Sequence, residues 1–370
     1  MQFPYSARMY QALAGMAILF LPVLSLAQTP ATERRILLSD SRIVRLGRFD
    51  GSHAEQLRFA YPGTGVRFRF HGSGAQLQVV ANSETSAMTV VVDSGEPALR
   101  VLKPGENMVT LASGLDEADH TVAVYKRTET WQGIVSFTGI TLDAKAELLA
   151  PPPVPTRKLM FVGDSVTCGT GVNNNVNCSN GVEDPSSDVW DAYGLRLSRR
   201  LDAETHLVCY GGRGLVRDYR GLTEADGIVN APQFLDLAIP TDPRETRVSW
   251  DVQRFQPDAI VVSLGTNDMN LQKTKPLDEE KWVAEYVDFV KKLRGEYPKA
   301  ILLLTNGAIV TDPLLEKMIR QTVEKVAEPS VRFVAGVHYP GNGCDGHPTR
   351  LQHAHMADDL EPVLRQALGW

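Results

Sequence analysis

The chain of 370 residues carries a formal net charge of −6, with its basic residues scattered along the sequence. Phosphate backbones require a concentrated cationic face, so a nucleic-acid partner is excluded and neutral substrates fit better. Past the N-terminal region no stretch approaches the roughly 20 apolar residues of a membrane-spanning helix, and no membrane partner is expected.

Arg8 precedes an apolar run from Ala12 to Leu26, with small residues at Ser25 and Ala27. This is the layout of a secretory signal peptide over residues 1–27, which predicts a secreted or periplasmic protein. The run is short for a bilayer span and contains Pro22. About 340 residues remain, enough for two domains at roughly 100 to 200 residues each.

Residues 31–149 read as short strands separated by turns. Val66 to His71 and Gln76 to Val80 alternate apolar with polar residues, Met88 to Asp93 is β-branched, and glycine-containing turns at 61–65, 72–74 and 104–106 punctuate them. Such spacing predicts an antiparallel β-sandwich. The proline run from Ala150 to Pro155 cannot donate to a sheet and marks a linker over residues 150–157. From 158 to 370 the pattern changes to compact apolar runs alternating with helical segments. Lys158 to Val162, His206 to Cys209, Ala259 to Ser263, Ala300 to Leu304 and Val331 to Val334 suit a parallel sheet covered on both faces. Trp282, Tyr286, Phe289, Val290 and Leu293 form one helical stripe, which assigns Trp282 to the core. Asp312-Pro313 starts another helix, and Thr349 with Gln352 forms a capping box for the last. The second half is therefore predicted as a three-layer α/β domain.

Cys168, Cys178, Cys209 and Cys344 all follow the leader, and export permits disulfides. Four thiols allow three fully paired arrangements. Cys168 lies three residues after Ser165 and Cys344 three before His347, so contact between those two groups would bring these sulfurs together; Cys168 with Cys178 is an equally acceptable short loop. Neither a C-x-x-C pair nor zinc-finger spacing is present, and no metal or other cofactor is expected.

In an open parallel sheet, functional groups collect beyond the carboxyl ends of the strands. Gly163-Asp164-Ser165 follows the first strand of the α/β half, Gly211-Gly212-Arg213-Gly214 the second, and Gly265-Thr266-Asn267-Asp268 the third. Asp345-Gly346-His347-Pro348 precedes the final helix. A serine hydroxyl needs a neighbouring base to attack, and a tetrahedral oxyanion needs fixed donors. Ser165, His347, Gly212 and Asn267 supply both. Taken singly, each turn is as readily structural, because Gly, Asp and Asn suit turns for backbone reasons. Asp164 is read as bracing its own turn. His353 and His355 with Asp358 are read as surface or supporting residues, since helix positions two apart face different directions. His71, His120 and His206 sit in strand-like runs and need no catalytic role.

Gly163-Asp164-Ser165, Gly212, Gly265-x-Asn267 and His347-Pro348 resemble the four sequence blocks of the SGNH hydrolases. The resemblance implies Ser165 as nucleophile, His347 as general base, and an oxyanion hole built from the backbone N–H groups of Ser165 and Gly212 with the Asn267 side chain. Longer stretches, Gly163 to Gly169, Gly212 to Asp218, His120 to Glu129 and Gly343 to Pro348, are similar to the second family of carbohydrate esterases. That family joins an N-terminal jelly-roll to an SGNH domain and removes acetyl groups from xylan and related sugars. The resemblance implies a serine esterase that deacetylates polysaccharides such as xylan or glucomannan through an acyl-enzyme, with an acetylated polysaccharide or oligosaccharide as its partner. Two positions depart from the family pattern. The orienting Asp usually stands three residues before the His, but Cys344 occupies that place and Asp345 stands two before, so Asp345 and a backbone carbonyl compete for the third catalytic role. Gly346 stands where many members have an aromatic residue, which leaves Trp190 as the candidate to stack on a sugar. The rival functions are an SGNH esterase acting on a lipid, thioester or peptidoglycan O-acetyl group, and a non-catalytic glycan-binding protein. Retention of Ser165, Gly212, Asn267 and His347 together argues for the enzyme.

Overall fold

Strand-period alternation in the first half of the chain produces two antiparallel sheets packed face to face. The computed structural model describes residues 34–53, 55–173, 185–241, 247–336, 341 and 344–370, apart from the Asp345 side chain. The leader read over residues 1–27, and Cys178, lie outside the described residues. One sheet runs in the order Arg34–Ile36, Val135–Leu142, Ala75–Ala81, Gly105–Ala112, with Leu57–Phe59 also pairing on Val135–Leu142. The other runs Glu147–Leu148, Gly65–Gly72, Ala118–Lys126, Ala87–Val92, Ala98–Val101, with Val44–Leu46 pairing on Gly65–Gly72. Alternate residues face inward: Val66, Phe68 and Phe70 from one sheet meet Leu77, Val79 and Phe137 from the other in a single core. Phe59 and Phe137 pack edge to face at 4.9 Å. Gly65 has no room for a side chain, because a β-carbon there would overlap the Val124 carbonyl oxygen.

The α/β domain contains five parallel strands: β1 (Arg157–Gly163), β2 (Ala203–Cys209), β3 (Ala259–Ser263), β4 (Ile301–Thr305) and β5 (Val331–Val334). Its helices are α1 (Ser165–Cys168), α2 (Tyr193–Leu201), α3 (Ala231–Phe234), α4 (Thr266–Met269), α5 (Glu279–Glu296), α6 (Pro313–Val326) and α7 (Arg350–Leu368). The apolar runs have two buried faces, as the sequence predicts. Met160, Val162, Ile260 and Val262 pack with Trp282, Tyr286 and Phe289 of α5 and Met318 of α6. Leu159, Phe161 and Val261, one residue out of phase, pack with Leu197 of α2 and Met356 and Leu364 of α7. This period of two gives three layers. The helix starts follow the residues named above: Asp312 accepts from the Leu314 N–H at 2.9 Å, and Thr349 and Gln352 form a reciprocal capping box.

The strand order β2-β1-β3-β4-β5 places β1 between strands that follow it in sequence in opposite directions. That is the switch point of an open sheet, where the loops diverge and leave a crevice beyond the strand ends. The two domains are joined by buried polar contacts as well as by the linker. Tyr61 of the sandwich, fully buried, donates its hydroxyl to the Phe234 carbonyl at 2.6 Å. The Arg48 guanidinium lies over Trp250 at 4.8 Å and donates to the carbonyl oxygens of Leu235 and Leu237. Tyr61→Phe, which removes one of these hydrogen bonds without changing shape, should lower unfolding free energy by about 1 kcal/mol in a urea titration; no change would show that the bond contributes nothing to domain docking.

Candidate active site

Ser165 is the first residue of α1, immediately beyond β1. The Asp164 carboxyl caps the turn by accepting from the Val166 N–H at 3.0 Å, so its bracing role is realised. The turn is closed from the other side, where the Thr170 N–H donates to the Ser165 carbonyl at 3.0 Å. His347 arrives from the segment between β5 and α7. Its Nε2 lies 2.8 Å from Ser165 Oγ and its Nδ1 lies 3.0 Å from the Cys344 carbonyl oxygen. A carbonyl can only accept, so Nδ1 carries the proton and Nε2 presents its lone pair to the hydroxyl. Gly171 packs so closely on the imidazole-bearing carbon that a β-carbon there would stand 2.7 Å from His347 Cβ.

Gly212 lies in the turn after β2, at φ +76°, a conformation that favours glycine. The Tyr219 ring lies against it, and the Tyr219 N–H donates to the Gly212 carbonyl at 3.0 Å. Asn267, in α4 just past β3, donates from Nδ2 to the Arg213 carbonyl at 2.9 Å and, more weakly, to Asp164 Oδ2 at 3.4 Å. The structure thus brings Ser165 and His347 into direct contact, and sets Asn267 between the Ser165 turn and the Gly212 turn. The backbone of Asp345 forms part of the short turn Cys344–Gly346, and its side chain lies outside the described residues.

Several supporting residues escaped the sequence reading. The buried Asp268 carboxyl accepts from the N–H groups of Leu215, Val216 and Arg217 at 2.8, 2.9 and 3.2 Å. Arg217 donates back to the Asp268 carbonyl from Nε and Nη2. The signal was an acid directly after Asn267 opposite a glycine-rich loop whose N–H groups need acceptors. Cys168 pairs with Cys209, neither of the two arrangements weighed from spacing. The reason is register: Gly163 sits beside Cys209 in the parallel pair, which brings the end of β2 to the Ser165 turn with 5.7 Å between the two Cα atoms. Cys344 is disulfide-bonded as well.

One further expectation needs correction. Trp190 does not offer a free face, because the Arg199 guanidinium covers it at 3.9 Å and Tyr125 packs at 5.4 Å. The aromatic beside the Gly212 turn is Tyr219, half exposed. His353 takes the supporting one of the two roles read for it: buried, it stacks on Tyr193 and accepts its N–H on Nδ1, while Asp358 pairs with Arg200 at the surface. Burial holds the His353 imidazole neutral, its pKa pushed down to about 3.

Comparison with known proteins gives a consistent result. The family described as Carbohydrate esterase 2 N-terminal matches residues 45–152, and the GDSL-like Lipase/Acylhydrolase family matches residues 161–362. An acetylxylan esterase / glucomannan deacetylase of Cellvibrio japonicus is 32% identical over 341 residues, covering 90% of this chain and 91% of that protein. A family two carbohydrate esterase structure from Cellvibrio japonicus superposes with a TM-score of 0.84 at 31% identity, covering 92% of this chain and 99% of that one. One from Clostridium thermocellum, in complex with cellohexaose, superposes with a TM-score of 0.77 at 27% identity, covering 89% and 99%.

Burial also shapes the charges behind the site. Desolvation raises the Asp164 carboxyl to about 7, and does the same to Glu129, a fully buried residue of the sandwich domain. Lys126, buried beside Glu129, is pushed down to about 7 by the same cause. A carboxyl whose pKa is higher in the folded than in the unfolded chain carries no penalty below its unfolded value. It loses stability as pH rises toward its folded value, because the unfolded state releases its proton first. For Glu129 that window runs from about 4.5 to about 7. Glu129→Gln, which has no proton to lose there, should gain stability relative to the wild type between pH 5 and pH 7 and hold the gain above. Thermal unfolding at a series of pH values measures it; a difference that is flat with pH would contradict the shift.

Proposed function

The chain belongs to the second family of carbohydrate esterases, and from that premise we propose that it hydrolyses O-acetyl esters on polysaccharides such as xylan or glucomannan. The observation that carries the reading is the 2.8 Å contact between Ser165 Oγ and His347 Nε2, with Nδ1 held by the Cys344 carbonyl. In this reading His347 takes the Ser165 proton as Oγ attacks the acetyl carbonyl carbon, then returns it to the departing sugar oxygen. The acetyl-serine ester is hydrolysed by water activated on the same nitrogen. The negative oxygen of each tetrahedral intermediate is received by the N–H groups of Ser165 and Gly212 and by the Asn267 amide, whose looser N–H toward Asp164 turns to it. The half-exposed Tyr219 ring beside Gly212, with the Arg220 guanidinium 5.5 Å from its centroid and less closely applied than Arg199 is to Trp190, is the aromatic side chain placed to meet a sugar ring. Relatives named as deacetylases of xylan and glucomannan support this substrate class, and the leader-like first 27 residues support export to meet it.

Ser165→Ala and His347→Ala should each lower turnover of a chromogenic acetyl ester by about 10⁴-fold or more, and the double variant should be little worse than either. Additive losses, or an active Ser165→Ala protein, would contradict the assignment. Because the carbonyl already orients His347, Asp345→Ala should cost less, about one to two powers of ten relative to the triad benchmark. A folded Asp345→Ala enzyme as inactive as His347→Ala would restore Asp345 as a full third member. Tyr219→Ala should raise KM for an acetylated oligosaccharide about fivefold or more while leaving a small aryl acetate nearly unaffected, as loss of a stacking face predicts.

A further inference from the structure

The strand Ala118–Lys126 of the sandwich does not stop at its own domain. Its continuation, residues 127–132, inserts among the turns of the active site, and the side chains of Arg127, Glu129 and Thr130 find partners there. Arg127 pairs with Asp188 at 2.8 Å, both buried, and Asp188 also reaches Arg350 at the start of α7, three residues after His347. Glu129 accepts a hydrogen bond from Thr170 Oγ1. Thr130 Oγ1 donates to the Cys209 carbonyl at 2.6 Å. Lys126 Nζ holds the strip's own backbone, donating to the carbonyl oxygens of Thr128 and Glu129.

Glu129 stands at the centre of this arrangement. Thr170, its donor, uses its own N–H to close the nucleophile turn on the Ser165 carbonyl, and the next residue, Gly171, packs against His347. The other carboxyl oxygen lies against Gly211, beside Gly212, so closely that a β-carbon there would overlap it. One side chain from the sandwich therefore touches both the turn that carries the nucleophile and the turn that carries an oxyanion donor.

We propose that Glu129 is a positioning residue of the esterase site, fixing the Ser165 and Gly212 turns relative to each other through Thr170 and Gly211. The inference rests on the esterase reading above. A fully buried carboxyl is a costly way to glue two domains, since an apolar side chain of similar volume would do so without desolvation. An acceptor aimed at Thr170 makes sense where the geometry of that turn matters to the reaction. Misplacement of reacting groups by about 1 Å can cost about 10²-fold in rate.

The test uses the purified full chain and a small chromogenic acetyl ester. Thr170→Val and Glu129→Ala should each lower kcat about tenfold with KM within about twofold of the wild type, a fraction of the loss that outright misplacement causes. Glu129→Gln keeps an acceptor for Thr170 and the same volume, and should stay within about threefold, the scale of a retained hydrogen bond. If Glu129→Ala fails to fold, the nearly isosteric Thr170→Val decides alone. A folded Thr170→Val or Glu129→Ala enzyme with wild-type kcat, a loss confined to KM, or a Glu129→Gln enzyme no better than Glu129→Ala would overturn the proposal. An inactive wild type would overturn the esterase reading and this inference with it, whereas an active wild type with unaffected variants would overturn this inference alone.

Discussion

A serine hydroxyl attacks an ester only while a base waits within hydrogen-bond reach, and the imidazole proposed for that role, His347, lies 182 residues further along the chain. Everything else in the α/β domain can be read as the means of keeping that contact near 2.8 Å. Ser165 is fixed by the end of β1, by its Asp164 cap and by the Thr170 N–H. His347 is fixed by the Cys344 carbonyl, by the crowding of Gly171, and by the capping box that starts α7 directly after it. Sheet order makes the meeting feasible. With β1 at the switch point, the ends of β2 and β3 flank Ser165, and α7 packs on α2 across the same face.

The sandwich domain enters this picture through polar contacts that no simple two-domain hinge requires. Arg127 with Asp188, Tyr61 with Phe234 and Thr130 with Cys209 are buried, and each links an atom of the first domain to a loop of the second. Buried polar groups tolerate little displacement, because a lost partner leaves a desolvated donor or acceptor. The domain boundary is consequently a stiff joint.

The fold class was legible because its signals are local and periodic: alternation in the first half, doubly apolar runs in the second, and cap residues at Asp312 and Thr349. The turns carrying Ser165, Gly212 and Asn267 could be placed at strand ends because each directly follows an apolar run. What escaped depends on register and on contacts between distant segments. Cys209 could be matched to Cys168 only by knowing that β1 and β2 are neighbours with Gly163 beside Cys209. His353 could be read as a surface or a supporting residue because helical spacing gives a face and does not say what covers it; Tyr193 covers it. Trp190 looked available because nothing local announces Arg199 and Tyr125 on its ring. Glu129 lay within a stretch similar to the family, but its partners Thr170 and Gly211 come from the other domain.

The Cys168–Cys209 bridge joins the residue that ends α1 to the last residue of β2, across a sequence gap of 41. Closing a loop of that size removes about 4 kcal/mol of conformational freedom from the unfolded chain on the entropic account. Its placement has a practical consequence for making the protein. In a host cytoplasm that keeps thiols reduced, the sheet and both cores could still assemble from their apolar faces. The tether between the two turns of the site would then be missing, and production yield of soluble protein would be a poor guide to specific activity. Oxidative folding, during expression or afterwards, is the step on which preparation quality turns.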